Sequence, residues 1–207
     1  MTAGRFITLE GIEGAGKSTV ARMVCDWLKA RGIAVRLTRE PGGTPLAERV
    51  RQVVLERGSE QLSPATETLL MFSARGIHVE NLIRPTLAAG EWVVCDRFTD
   101  ATRAYQGAGR GVSMELIETL ATAVQGGLRP DCTLLLDLPP AVGLARARQR
   151  SGLAADRFEA EKEEFFDAVR AAYLELARAE PHRIHLINAA MPLPEVERQV
   201  IAVLEGL

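Results

Sequence analysis

Eight consecutive residues, Gly11-Ile12-Glu13-Gly14-Ala15-Gly16-Lys17-Ser18, match the phosphate-loop pattern G-x-x-x-x-G-K-[ST]. Glycines at this spacing let the backbone wrap an anion with its N–H groups turned inward. A helix starting near the lysine adds unpaired N–H groups and the positive end of its dipole. Lys17 would reach the β- and γ-phosphates of ATP, and Ser18 would ligate Mg²⁺. Gly11, Ile12, Glu13, Gly14, Ala15, Gly16, Lys17, Ser18 and Thr19 are therefore the candidate ATP-phosphate site. A Gly-rich turn that merely joins a strand to a helix is the plainer alternative. The context required of a phosphate loop is nevertheless present, with the apolar run Phe6 to Glu10 before it and a helical pattern after it.

Further along, Val93-Val94-Cys95-Asp96-Arg97 is an apolar run ending in an acid and a base. An acid at such a strand end can hold Mg²⁺ directly or through water, which makes Asp96 a metal candidate beside Ser18. The ordinary reading is an Asp paired with its neighbouring Arg. Arg97 points at the same strand mouth and can grip a second phosphate in a bidentate way. Glu13 is anomalous, because an acid inside an anion-binding loop needs a cation or a hydroxyl facing it. Mg²⁺ or an acceptor hydroxyl would serve, as would solvent or an arginine of a lid.

These residues need a scaffold, and the pattern supplies one. Apolar runs at Phe6 to Glu10, Ile33 to Thr38, Trp92 to Asp96, Cys132 to Leu138 and Arg183 to Asn188 read as strands. Helical periods cover Lys17 to Arg31, Thr44 to Arg57, Ser63 to Leu87, Ser113 to Val124, Pro140 to Arg150, Glu159 to Ala179 and Pro194 to Leu204. Pro85 lies near the end of the longest and can kink it. Near-continuous apolar strands alternating with helices predict an α/β fold with a five-stranded parallel sheet covered on both faces. Ligands in such folds sit beyond the carboxyl ends of the strands, where the polar candidates fall.

With 207 residues, a single domain over 1–207 is expected. The net charge of -2 gives no global field for nucleic acid or an acidic membrane. Three cysteines, Cys25, Cys95 and Cys132, form no metal clip. No signal-peptide core or membrane-length apolar run is visible, so a cytoplasmic, reducing location is expected.

Four segments together resemble the bacterial thymidylate kinases. They are Leu9 through Thr19, Thr38-Arg39-Glu40-Pro41-Gly42-Gly43-Thr44, Asp96-Arg97-Phe98 leading to Ala104-Tyr105-Gln106-Gly107, and Asp156-Arg157-Phe158-Glu159. The likeness runs from about Phe6 to about Leu204. It implies an NMP-kinase-like three-layer sandwich with a lid, and the reaction of ATP with dTMP to ADP and dTDP, with Mg²⁺. It also implies a homodimer. By motif match, Glu40 and Pro41 belong to the acceptor pocket, and Arg51 contacts phosphate or sugar. Phe72 stacks on thymine and Arg75 donates to the base. Arg97 clamps the acceptor phosphate, Thr102 faces the base edge, and Tyr105 and Gln106 line the sugar. Phe72 lies three residues before Arg75, where some relatives have four, so Met71 is the alternative stacking residue. Ile77 replaces a polar residue and Ala101 a small hydroxyl common in relatives. The exit of the last strand, Asn188-Ala189-Ala190, resembles a loop that cradles adenine, although Asn188 can equally cap the following turn.

Arg146, Arg148 and Arg150, followed by Arg157, mark a basic lid over about 146–160. Alternate arginines spread around a helix, so at least one is expected to be solvated. Transferred phosphoryl groups carry charge on three oxygens that positioned cations stabilise. The phosphate loop holds no Arg, which leaves Arg146, Arg150 and Arg157 as candidates, the first beside ATP and the other two catalytic. Asp156 and Glu159 match lid acids. Two other readings stand beside this one: a P-loop kinase for another acceptor, and a non-catalytic regulator that uses ATP as a conformational ligand.

Overall fold

The computed structural model describes residues 4–56, 60–151, 158 and 161–207, with the backbone alone at 150 and 151. The strands are β1 (Phe6–Glu10), β2 (Val35–Arg39), β3 (Trp92–Asp96), β4 (Cys132–Asp137) and β5 (Ile184–Asn188). They form one five-stranded sheet in the order β2-β3-β1-β4-β5, with every pair parallel. The expected parallel α/β sheet is therefore present. β1 lies at its centre, and the chain turns one way after it to β2 and β3 and the other way to β4. Such a reversal opens a crevice at the carboxyl ends of the central strands.

The helices are α1 (Lys17–Lys29), α2 (Pro45–Leu55), α3 (Pro64–His78), α4 (Arg84–Ala88), α5 (Thr99–Thr102), α6 (Met114–Gln125), α7 (Pro140–Ser151), α8 (Glu163–Ala179) and α9 (Leu193–Leu204). Local chemistry fixes several starts. Thr44, Ser63 and Ser113 each cap a helix by accepting a backbone N–H three residues on. Alternation along β1 sends Ile7 and Leu9 to the face packed by α1 and α9, and Phe6 to the opposite face with Val79 and Ile83. Phe166, Val169 and Tyr173 of α8 cover another part of that second face with Leu135.

Two expectations are corrected. The helix expected over Ser63 to Leu87 is three pieces, α3, a π-helical turn at Val79–Ile83, and α4. Pro85 has no N–H for the carbonyl of residue 81, and its ring crowds that carbonyl. The wider turn just before it accommodates both. The segment after β3 shows no helical or strand period in the sequence, yet it is α5 continued by a π-helical run, Arg103–Gly109. Its glycines and polar residues show no apolar period, and packing against α8 holds it in place.

Candidate active site

The phosphate loop leaves β1 at Glu10. At Gly14, φ is +72° and an added Cβ would lie 2.1 Å from the carbonyl oxygen of Gly143. The loop thus rests backbone to backbone on the first turn of α7, which only glycine permits. Lys17 opens α1 and donates from Nζ to the carbonyls of Gly11 at 2.9 Å and Ile12 at 2.8 Å. Burial, and next the Arg97 guanidinium, pull its ammonium down to about 8. Ser18 donates to the Asp96 carboxylate at 3.3 Å, so the two metal candidates meet between the first turn of α1 and the end of β3.

Arg97 follows β3 with φ +74°, the one non-glycine positive φ among the described residues. This strained conformation is held from several sides. The Arg97 N–H donates to the Leu9 carbonyl at 2.9 Å, and the next N–H, of Phe98, donates to Glu10 Oε1 at 2.7 Å. Held so, the guanidinium lies 4.6 Å from the centre of the Tyr105 ring and donates to Glu13 Oε1 at 2.8 Å. The Tyr105 hydroxyl donates to the other Glu13 oxygen at 2.7 Å. The cation that faces Glu13 is thus Arg97 in the strand mouth. Behind it, Tyr173 donates to Glu10 Oε2 at 2.7 Å and accepts a long bond from Arg97 Nη1 at 3.5 Å. Burial, and next Asp100, push the Glu10 carboxyl up to about 8.

The remaining candidates gather at the other end of one cleft of about 470 Å³, which Lys17, Ser18, Asp96 and Arg97 also line. The Glu40–Pro41 peptide is cis, and Arg51 donates to the Pro41 carbonyl at 2.8 Å. Arg75 donates from Nε to Glu40 at 2.7 Å, and from Nη2 to the Phe98 carbonyl at 3.1 Å and to Thr102 Oγ1 at 3.0 Å. Its Nη1 is buried without a hydrogen-bond partner. Gln106 lines the cleft while donating to the buried Glu67 at 2.7 Å. Of the two stacking candidates, Met71 lines the cleft, whereas Phe72 is 1% exposed and packs with Ile117 and Ala121. The assignment of Phe72 to the cleft is corrected on this ground: the helical turn that aims Arg75 inward turns Phe72 to the core.

On the lid side, Arg146 donates to the Ala189 carbonyl at 3.2 Å, tying α7 to the exit of β5. Asn188 accepts from the Ala190 N–H at 3.1 Å, the capping role. Phe158 lines the cleft. The side chain of Arg150, together with Asp156, Arg157 and Glu159, lies outside the described residues. Sequence reasoning assigned no role to Glu10, Tyr173 or His78, which brace the candidates from behind. A signal for the first existed: Glu10 is an acid ending an otherwise apolar run, and such an acid is buried only with partners.

The geometry can be set beside known proteins. The family profile described as Thymidylate kinase matches residues 9–200. A thymidylate kinase of Pseudomonas fluorescens (strain SBW25) is 58% identical, over 99% of this chain and 96% of its own length. One of Pseudomonas putida (strain GB-1) is 56% identical, over 99% and 97%. A crystal structure of thymidylate kinase from Ehrlichia chaffeensis superposes with a TM-score of 0.78 at 33% identity, covering 98% of this chain and 99% of the other. On the profile match over most of its length and on these identities, this chain belongs to the thymidylate kinase family.

Proposed function

We propose that this chain transfers the γ-phosphoryl group of ATP to the 5′-phosphate of dTMP, giving ADP and dTDP. One observation carries the reading: Lys17 and Arg97 line a single cleft that continues to Met71, Arg75 and Thr102. A nucleoside triphosphate held by the loop and a monophosphate held by Arg97 then meet end to end. A phosphate oxygen of dTMP bonds to the γ-phosphorus as the bond from that phosphorus to the β,γ-bridging oxygen breaks, and ADP leaves with the electron pair. Catalysis here is positioning and charge stabilisation. Lys17 gives up its contacts to Gly11 and Ile12 for the phosphates. Arg97 aligns the attacking phosphate, and Glu13 with Tyr105 fixes the plane of its guanidinium.

Beyond the phosphates, Met71 and Phe98 offer apolar contact to a base, and Arg75 offers its unpaired Nη1 to a base carbonyl. Tyr105 and Gln106 line the sugar. The oxygen donors Ser18 and Asp96 fit Mg²⁺, which takes one or two protein ligands and completes its shell with phosphates and water. Among the described residues there is no denser cluster of three or more metal-ligating side chains. Bound there, Mg²⁺ would neutralise charge on the β- and γ-phosphates. Arg146, Arg150 and Arg157 supply cations from a lid over about 146–160. A homodimer and a cytoplasmic location belong to the same reading. Among the described residues no helix is long and apolar enough to cross a membrane.

A coupled ADP-release assay with dTMP, dUMP, dCMP, dGMP and thymidine tests the assignment. dTMP should give the highest kcat/KM. Preference for thymidine, or no acceptor-stimulated turnover at all, would overturn it.

A further inference from the structure

We propose that His78, which does not line the cleft, is a positioning residue for acceptor recognition: it orients Arg75 through the carboxylate of Glu40. This rests on the reading of the cleft as a dTMP site and adds a residue to it. Arg75 is 3% exposed, and its Nε and Nη2 are both committed, to Glu40, the Phe98 carbonyl and Thr102. Nη1 alone is left with no acceptor. A buried donor with no partner is costly, and its residue lines the cleft, so it calls for a carbonyl oxygen on the bound base. An amino group at that position cannot accept the bond. Discrimination therefore depends on which nitrogen is left free, and the partners on the other side of the guanidinium decide that.

Glu40 is the charged one of those partners and is 4% exposed. Its Oε2 accepts from Arg75 at 2.7 Å, and its Oε1 meets His78 Nδ1 at 3.0 Å. A carboxylate accepts only, so Nδ1 carries a proton, and in the neutral ring Nε2 then accepts from the Thr38 hydroxyl, 2.7 Å away. The chain Thr38–His78–Glu40–Arg75 is thus a continuous line of hydrogen bonds from the end of β2, through α3, to the cleft, with His78 and Arg75 both donating to the Glu40 carboxylate. His78 itself is fully buried. The acceptor loop is shaped to it: at Gly43, with φ +88°, an added Cβ would lie 2.5 Å from both His78 Nε2 and Thr38 Oγ1. The ring therefore fixes both the carboxylate that holds Arg75 and the loop on which that carboxylate stands.

The test uses the full chain and three variants, His78→Leu, His78→Asn and Thr38→Val, with KM for dTMP, KM for ATP, kcat and the ratio of kcat/KM for dTMP over dCMP. Wild-type turnover of dTMP is measured first. Its failure would refute the functional reading and not the geometry of His78. His78→Leu removes the donor to Glu40, and a hydrogen bond to a charged group of this kind translates to about a ten-fold rise in KM for dTMP. The dTMP preference should fall by a similar factor, with KM for ATP unchanged. His78→Asn, whose amide nitrogen falls near the position of Nδ1, should restore KM for dTMP to within about three-fold. If His78→Leu does not fold, Thr38→Val, which frees the ring without removing it, should still raise KM for dTMP selectively. Unchanged KM for dTMP and unchanged preference in a folded variant would overturn the proposal. So would parallel losses toward ATP and dTMP with no rescue by Asn, the signature of a merely structural histidine.

Discussion

Lys17 carries a prediction that runs against the usual behaviour of a lysine. Its ammonium is pulled down to about 8, first by burial and then by Arg97. Only the protonated form attracts phosphate, so ATP affinity of the dTMP-free protein should be level below about pH 8 and fall about ten-fold per pH unit above it. At about pH 9 the affinity should stand about ten-fold under its plateau, a loss of about 1.4 kcal/mol. An ordinary lysine, titrating near 10.4, would leave affinity level over that range. Arg97→Gln removes the second cause, so the break should move upward toward the ordinary value. Bound phosphates favour the ammonium, so kcat at saturating ATP should be flat where binding falls. Calorimetric titration of MgATP into wild type and Arg97→Gln, from about pH 6.5 to 9.5, reads both effects. Level affinity to about pH 9.5 in wild type, or a break that ignores the Arg97 charge, would refute the reasoning.

Other perturbations probe the scaffold. Tyr173→Phe leaves Glu10 Oε2 without its buried donor. It should cost about 1–3 kcal/mol in urea unfolding and raise KM for dTMP more than KM for ATP. Gly143→Ala places a Cβ 2.5 Å from the Glu13 carbonyl; kcat should fall at least about ten-fold because the loop must shift on the scale of 1 Å. Arg183→Ala, just before β5, strips the 3%-exposed Asp100 of one of its two arginine partners, with Arg103 remaining at 2.8 Å. Losing the charge-assisted hydrogen bonds of this one partner should cost about 1.5–3 kcal/mol, visible as a lowered Tm.

The parts of this protein that were legible in its sequence are those whose signal is local. The loop from Gly11 to Ser18 announces itself by glycine spacing, and β3 by an apolar run that stops at Asp96. Helix starts at Thr44, Ser63 and Ser113 follow from one side chain each. What stayed hidden depends on residues distant in the chain. Arg103–Gly109 is helical because α8 packs on it, and nothing within the segment signals this. Phe72 and Met71 are neighbours of Arg75 on one helix, and only the docking of α6 through Ile117 and Ala121 decides which faces the cleft. Glu10 and Tyr173 are separated by 163 positions. Glu13 finds its cation in Arg97 because β1 and β3 are adjacent in the sheet, a consequence of strand order that no spacing rule contains.

The central claim is that the grips of Lys17 and Arg97 hold two nucleotides end to end in one cleft. An adenosine and a thymidine joined through their 5′-oxygens by a chain of phosphates measures this directly in a calorimetric competition. One such molecule should bind per chain, displacing both ATP and dTMP, with binding weakened by Lys17→Ala and by Arg97→Ala alike. Displacement of only one nucleotide, or insensitivity to either substitution, would contradict it.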